Sequence, residues 1–270
     1  MARILITGAS DGLGRELAYA LAGQGHRLLV HGRDAGRLAE VAERTGAEAH
    51  RADLASLAEV RRLAASVEGP LDVLVNNAAV GFGPPGEARQ FSADGHELRF
   101  AVNYLAPYLL TRLLLPRLTA AAREGAPARE GGAARIVNVA SAGQRTVDLD
   151  DLMARGYDGT EAYRRAKLAL IAHSFDLAEE LAGTGVTVNC LHPATLMPTT
   201  MVRQARSGQM DTMEQGLRAT LRLVVDPTLA GVTGRYFDGQ REARAREQAY
   251  DRAFRTRLRE LTDSLVGLPS

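Results

Sequence analysis

Tyr163 and Lys167 stand four residues apart in the run Tyr163-Arg164-Arg165-Ala166-Lys167. On a helix that spacing sets phenol and ammonium on one face. A phenol with a pKa of about 10 is a poor acid or base at neutral pH. A neighbouring cation stabilises phenolate and lowers that value, each unit corresponding to about 1.4 kcal/mol. The two residues therefore either share a ligand and move its proton, or form a plain surface pair. Two further polar groups can join them. Ser141 follows the run Arg135-Ile136-Val137-Asn138-Val139-Ala140 and either donates to a substrate carbonyl or caps a turn. Asn103 lies in a long helical region and either distorts that helix enough to hold water or is a satisfied amide at a helix interface.

A second group of residues suits a phosphate. Thr7-Gly8-Ala9-Ser10-Asp11-Gly12-Leu13-Gly14 follows Ile4-Leu5-Ile6 and opens the amphipathic run from Leu13 to Leu21. That order is strand, glycine turn, helix. A helix start carries unpaired N–H groups and partial positive charge, and glycine removes the side chain that would block a pyrophosphate there. The turn reads as a dinucleotide cradle, against the alternative of a tight βα turn with no ligand. Arg33 stands about twenty residues on, where an acidic residue would hold the ribose 2′-hydroxyl of NAD. A guanidinium there grips a 2′-phosphate and stacks on adenine, or is simply solvated; the first option favours NADP, with Arg37 able to assist and Asp11 opposing. Asp53 either accepts from the adenine amino group or caps a helix. In Asn76-Asn77-Ala78-Ala79 the amides can pin adjacent strands while the small residues let backbone pass close to a cofactor; the alternative is an ordinary Asn-rich turn.

The elements that must position these groups alternate. Strands are expected at 4–6, 27–31, 47–51, 71–76, 135–140 and 186–191, with helices at 13–21, 34–44, 56–67, about 92–123 and 160–181. A glycine- and proline-rich loop is expected at 81–86 and a mobile one at 124–133. Such alternation implies an α/β fold, a doubly wound parallel sheet with right-handed crossovers and helices on both faces. Every polar group above then falls at the carboxyl end of a strand, where ligands of such sheets bind.

Composition limits the rest. With 270 residues, 46% of them hydrophobic, the chain is read as one domain, and a net charge of +1 gives no general attraction to nucleic acid or anionic membrane. The single cysteine, Cys190, excludes an internal disulfide framework and fits a reducing compartment. Met1 is followed almost at once by a strand, so a cytoplasmic location is expected. The apolar run from Tyr104 to Leu118 is broken by Pro107, Arg112 and Pro116 and reads as a buried helix, not a membrane span. The six histidines show no ligand spacing, so no metal is expected.

Taken together, the glycine turn, Asp53-Leu54, Asn76-Asn77-Ala78-Ala79, Asn103, Ser141, Tyr163 with Lys167, and His192-Pro193-Ala194 resemble the short-chain dehydrogenase/reductase family over nearly the whole chain. The resemblance implies a Rossmann fold of about seven strands and a catalytic tetrad of Asn103, Ser141, Tyr163 and Lys167. Tyr163 would exchange the proton, Ser141 orient the carbonyl, Lys167 also bind nicotinamide ribose, and Asn103 position a water. The cofactor set it implies is Gly8, Ser10, Asp11, Gly12, Leu13, Gly14, Arg33, Asp53, Leu54, Asn76, Ala78, Tyr163, Lys167, Pro193 and Leu196, with NADP(H) preferred over NAD(H). Ala79 and Ala194 stand where the pattern has glycine. Pro198 stands where it often has threonine, so Thr199 or Thr200 would bond the nicotinamide carboxamide.

The long gap between Ser141 and Tyr163, with Asp148, Asp150, Asp151, Tyr157 and Asp158, looks like the retinol-dehydrogenase-like and carbonyl-reductase-like branch, as does Gly234-Arg235-Tyr236-Phe237. That branch suggests interconversion of a ketone or aldehyde and an alcohol on a bulky apolar body. Substrate-side elements are placed at 143–160 and at 193–225, the latter with Met197, Met201, Met210 and Met213 and a lid that orders on cofactor binding, and a charged helical tail at 241–266. A homodimer or homotetramer through the helices at 101–118 and 160–181 is expected from the family. The competing readings are a dehydratase or epimerase on the same fold and a non-catalytic NADP-binding regulator.

Overall fold

The structure, a computed structural model, describes residues 1–84, 86–125, 134–153, 156–204 and 208–269. The chain runs β1 (Arg3–Ile6), α1 (Gly12–Gly23), β2 (Arg27–Gly32), α2 (Ala35–Thr45), β3 (Glu48–Arg51), α3 (Leu57–Ser66) and β4 (Val73–Asn76). It continues through α4 (Leu98–Phe100), a π-helical segment (Ala101–Leu105), α5 (Ala106–Gly125), β5 (Ala134–Val139), α6 (Gly159–Glu180) and β6 (Val186–His192). The last part holds α7 (Thr200–Gln204), α8 (Met213–Val225), β7 (Arg235–Asp238), β8 (Arg241–Ala243) and α9 (Arg252–Val266).

Strand order is β3-β2-β1-β4-β5-β6-β7-β8, and every pairing except β7 with β8 is parallel. Central strands are apolar on both sides, as parallel strands between helical layers must be. Leu5, Leu29, Leu74, Ile136 and Val188 face the layer of α3, α5, α6 and α9, whereas Ile4, Ile6, Val30, Val75 and Val137 face α1, α2 and α8. The order reverses at β1, which pairs with both β2 and β4. The crevice above that reversal is where such sheets take ligands.

Helix starts follow their caps. Asp34 accepts from Arg37 N at 3.0 Å, Ser56 from Glu59 N at 3.4 Å and Asp158 from Glu161 N at 2.8 Å. The helical region expected from about residue 92 begins only at Leu98, because Ser92 to His96 closes on itself through Ser92 N and His96 O at 2.8 Å. Among the described residues there are eight strands where about seven were expected. The addition is β8, which takes the start of the tail expected to be helical; a turn at Glu247–Tyr250 follows, and the helix itself starts at Arg252 on its Asp251 cap. The loop expected at 124–133 lies, from residue 126 on, outside the described residues. Among the described residues, no helix is long and apolar enough to cross a membrane.

Candidate active site

The carboxyl ends of the central strands open on one cleft of about 1040 Å³. Its size lies just past the ~300–1,000 Å³ range of small-ligand pockets, as a dinucleotide with a substrate requires. Ser10, Asp11, Gly12 and Leu13, at the first turn of α1, form its floor. Gly8 has φ +67° and Gly12 has φ +52°, left-handed backbone that favours glycine. Gly14 does a different job. It does not line the cleft; a Cβ there would sit 2.3 Å from Gly8 O and 2.5 Å from Asn77 Nδ2, so its bareness lets α1 close on the turn.

His31, at the end of β2, fixes that turn from below. Its Nδ1 accepts the Gly8 N–H at 3.3 Å, and its Nε2 donates to Ala52 O at 3.0 Å, a pairing that only the neutral ring satisfies. Burial pushes the imidazole down to about 4. Thr7 Oγ1 adds bonds from Asn77 N at 3.0 Å and Ala78 N at 3.1 Å. Neither residue was singled out by the sequence. A bond across 23 residues leaves no local signal, and His31 sits in a strand that reads as apolar.

At the adenine end, Arg33 has a side chain 65% exposed on the cleft wall, with Nη1 4.0 Å from Asp53 Oδ1. Asp53 does not cap α3, a task that falls to Ser56; its Oδ1 accepts from Ala55 N at 3.0 Å, and Leu54 lines the cleft beside it. Asp11 caps α1 through Gly12 N at 2.7 Å and lies 3.6 Å from Arg37 Nη1. Partial burial raises its carboxyl pKa, but bonds from Thr200 and Gly12 with the charges of Arg37 and Arg15 bring it below the ordinary range. Arg37 thus answers the charge that would oppose a phosphate.

The two asparagines divide differently from expectation. Asn76, placed in the cofactor set, is buried under the cleft and donates to Thr111 Oγ1 at 3.0 Å and Asn138 Oδ1 at 2.8 Å. Asn77 is the one on the cleft, with Nδ2 bonded to Thr7 O at 2.9 Å. The expected pinning of adjacent strands is what both amides do. Side chains alternate sides along a strand, and a one-residue shift exchanged wall for foundation.

Ser141, Tyr163 and Lys167 meet on the opposite wall. Tyr163 packs edge-on against Phe82, ring centroids 5.8 Å apart, and its hydroxyl bonds the Ser141 side chain. Lys167 is 2% exposed and donates from Nζ to Val139 O at 2.7 Å, with Nζ 5.7 Å from the Tyr163 ring centroid. Burial pushes this ammonium down to about 7. Burial also raises the Tyr163 phenol pKa above its ordinary value, while the Ser141 bond acts the other way. The lowering expected from Lys167 is therefore not present in the free protein: desolvation outweighs a cation that is held by a carbonyl and is itself half-discharged near neutrality.

Asn103 sits in the π-helical segment, where Ala106 N bonds Ala101 O five residues back. The expected distortion is real. The carboxamide, however, is fully engaged by Val80, accepting from its N–H at 2.8 Å and donating to its carbonyl at 2.9 Å. Val80 lines the cleft and Asn103 does not.

Pro193, Ala194, Leu196, Met197 and Met201 form the remaining wall, and Leu196 adopts φ +48°, a left-handed strain at the cleft edge. Met210 is 71% exposed and Met213 packs on the far core, so neither belongs to the pocket as expected. Thr199 and Thr200 both line the cleft, but Thr200 is turned to Asp11 and Arg203. Among the described residues of the segment 143–160, Gly143 and Thr160 reach it; Tyr157 bonds buried Arg99 instead. Among the described residues no cluster of His, Cys, Asp and Glu could hold a metal.

The sequence profile described as short chain dehydrogenase matches residues 2–210. The chain belongs to the short-chain dehydrogenase family. It is thus a member of a family of oxidoreductases that use a nicotinamide cofactor, in the retinol-dehydrogenase-like branch. Mouse retinol dehydrogenase 13 is 34% identical, the match covering 98% of this chain and 84% of the relative. Mouse polyprenol dehydrogenase is 36% identical over 94% of this chain and 80% of its own length. A crystal structure of an uncharacterized protein from Mycobacterium paratuberculosis superposes with a TM-score of 0.80 at 27% identity, covering 99% of this chain and 94% of that one.

Proposed function

We propose that this protein is an NADP(H)-dependent oxidoreductase that interconverts a ketone or aldehyde with an alcohol on a bulky apolar substrate. The observation that carries the reading is the convergence of Ser141, Tyr163 and Lys167 on the same cleft as the glycine turn of α1, with Arg33 and Arg37 at its other end. The cleft's apolar walls and the names of the retinol and polyprenol dehydrogenases support a long hydrocarbon body for the substrate.

The residues fit a dinucleotide. The N–H groups at the start of α1 would receive its pyrophosphate, Arg33 and Arg37 a 2′-phosphate, and Asp53 the adenine amino group. Nicotinamide, when bound, supplies or accepts the hydride. Ser141 Oγ orients the substrate oxygen by donating to it. Tyr163 Oη donates its proton to that oxygen in the reducing direction and takes it back in oxidation. A protonated Lys167 would support the phenolate left behind, and Phe82, packed edge-on against the Tyr163 ring, shields that side of it.

The test is a carbonyl panel followed by loss of reduced-nicotinamide absorbance. Tyr163→Phe is expected to lower turnover at least about a hundredfold, the ordinary value of a general acid, with cofactor affinity retained. Arg33→Asp is expected to weaken NADPH far more than NADH. Full turnover in the first variant, or an unchanged cofactor ratio in the second, overturns the respective part.

A further inference from the structure

The cleft wall that carries Ser141 is laced to the far end of the chain by side chains that the proposed chemistry does not use. Ser141 O accepts from Tyr236 Oη at 3.3 Å and from Gln144 Nε2 at 3.2 Å. Gln144 Oε1 in turn accepts from Arg246 N at 2.7 Å, and Arg246 Nε donates to Thr146 Oγ1 at 3.1 Å. One turn further, Gln248 spans Val147 like a strand partner: Oε1 accepts from Val147 N at 2.8 Å and Nε2 donates to Val147 O at 2.9 Å. Val147 is buried at 3% exposure, and Tyr250, stacked on Phe175 with centroids 5.0 Å apart, anchors the strap by accepting from Ala245 N at 3.0 Å.

Among the described residues the loop after β5 forms no helix or strand before α6, and its backbone is held by these bonds together with Arg145, whose N–H donates to Arg164 O at 3.3 Å and whose Nε lies 2.8 Å from Glu161. Ser141 Oγ also accepts from Gly143 N at 3.0 Å, so a slip of the loop moves the hydroxyl with it. We infer that Tyr236, Gln144 and Gln248 are positioning residues for Ser141, and that the segment from β7 to the 247–250 turn aims its hydroxyl at Tyr163. This rests on the reading of Ser141 as the group that orients the carbonyl. It assigns a purpose to β8: the antiparallel turn through 239–241 folds the chain back so that Arg246 and Gln248 arrive beside the loop.

Hydrogen exchange on the full chain, with Tyr236→Phe and Gln248→Met, reads the lacing directly. The amides of Gly143 and Val147 are expected to exchange about tenfold faster in Gln248→Met, and that of Gly143 faster in Tyr236→Phe, with amides of β1 to β4 unchanged. With a turned-over carbonyl, both variants are expected to lose kcat by about three- to tenfold at constant KM and constant cofactor affinity. The upper limb of the pH profile is expected to move to higher pH, because Tyr163 loses the Ser141 bond. Unchanged exchange at Gly143 overturns the inference. So does a fall in kcat with an unmoved pH profile, which is the mark of a smaller folded fraction. If the wild-type chain reduces no carbonyl with either cofactor, the proposed function falls, and exchange at Gly143 still decides the lacing.

Discussion

At the scale of single residues, Lys167 has the largest consequence. Its ammonium is buried among apolar groups, with one carbonyl bond, and titrates at about 7 against 10.5 when exposed. Between those values the unfolded chain binds the proton and the folded one does not, so stability rises with pH across that window. Below it the full burial cost is present. Lys167→Met removes the titration, and the variant's advantage in urea midpoint is expected to be largest at pH 7 and to shrink towards pH 10, at up to about 1.4 kcal/mol per unit. A gap that does not change with pH would show that Lys167 keeps its charge. His31 behaves similarly on the acid side: neutral in the fold down to about 4, it draws stability away as pH falls from 6.5. Its protonation would cost the Gly8 bond and with it the shape of the turn.

Among the elements, α9 decides what the outer helices can meet. Tyr104 Oη pairs with Thr262 Oγ1 at 2.7 Å, Tyr108 donates to Asp263 Oδ1 at 2.5 Å, and Arg259 bonds Asp176 at 2.7 Å. Residues 166 to 178 of α6 are all buried within the one chain. Thus α9 covers Tyr104, Tyr108 and Asp176 on the helices that the family resemblance assigned to a subunit interface, while Arg112, Leu113 and Leu115 of α5 stay partly exposed. Light scattering is expected to return two or four times the single-chain 28.9 kDa, as the family resemblance implies; a mass of one chain would show that α9 closes these faces to a partner.

The same element shows where reading from sequence stops. Ser141, Tyr163, Lys167 and the glycine turn were legible because strand ends and helical spacing are local and periodic, and they gave the cleft its position. Asn76 and Asn77 were exchanged because strand parity at a terminus is set by one residue. β8 escaped because a three-residue strand has no period of its own; it exists through pairing with Tyr236, Phe237 and Asp238. The Phe82 contact with Tyr163 and the His31 bond to Gly8 come from tertiary packing, to which local spacing gives no clue.

For the molecule as a whole, Cys190 offers a reporter of opening. It lies at the centre of β6, fully buried, with its thiol pushed up to about 12 by desolvation. Only the thiolate reacts, and because the side chain packs in the layer of α6, against Ser174, that layer must leave the sheet before the thiol meets solvent. Labelling by an alkylating reagent is expected to track global unfolding through a denaturant series, with one midpoint shared with circular dichroism. Labelling at a native rate below that midpoint would reveal a sheet that opens in parts.

The sheet ends in β3 on one side and β8 on the other, each only three or four residues long. Glu48, His50 and Arg51 populate the first margin, Arg241 and Glu242 the second, with Glu48 and Glu242 held by Arg3 and Arg235. A foreign backbone seeking to extend the ladder would find little length to grip and charges to dehydrate. Concentrated solutions of the native protein should therefore resist ribbon growth, and any fibrillar deposit must begin with chains that have already lost this fold.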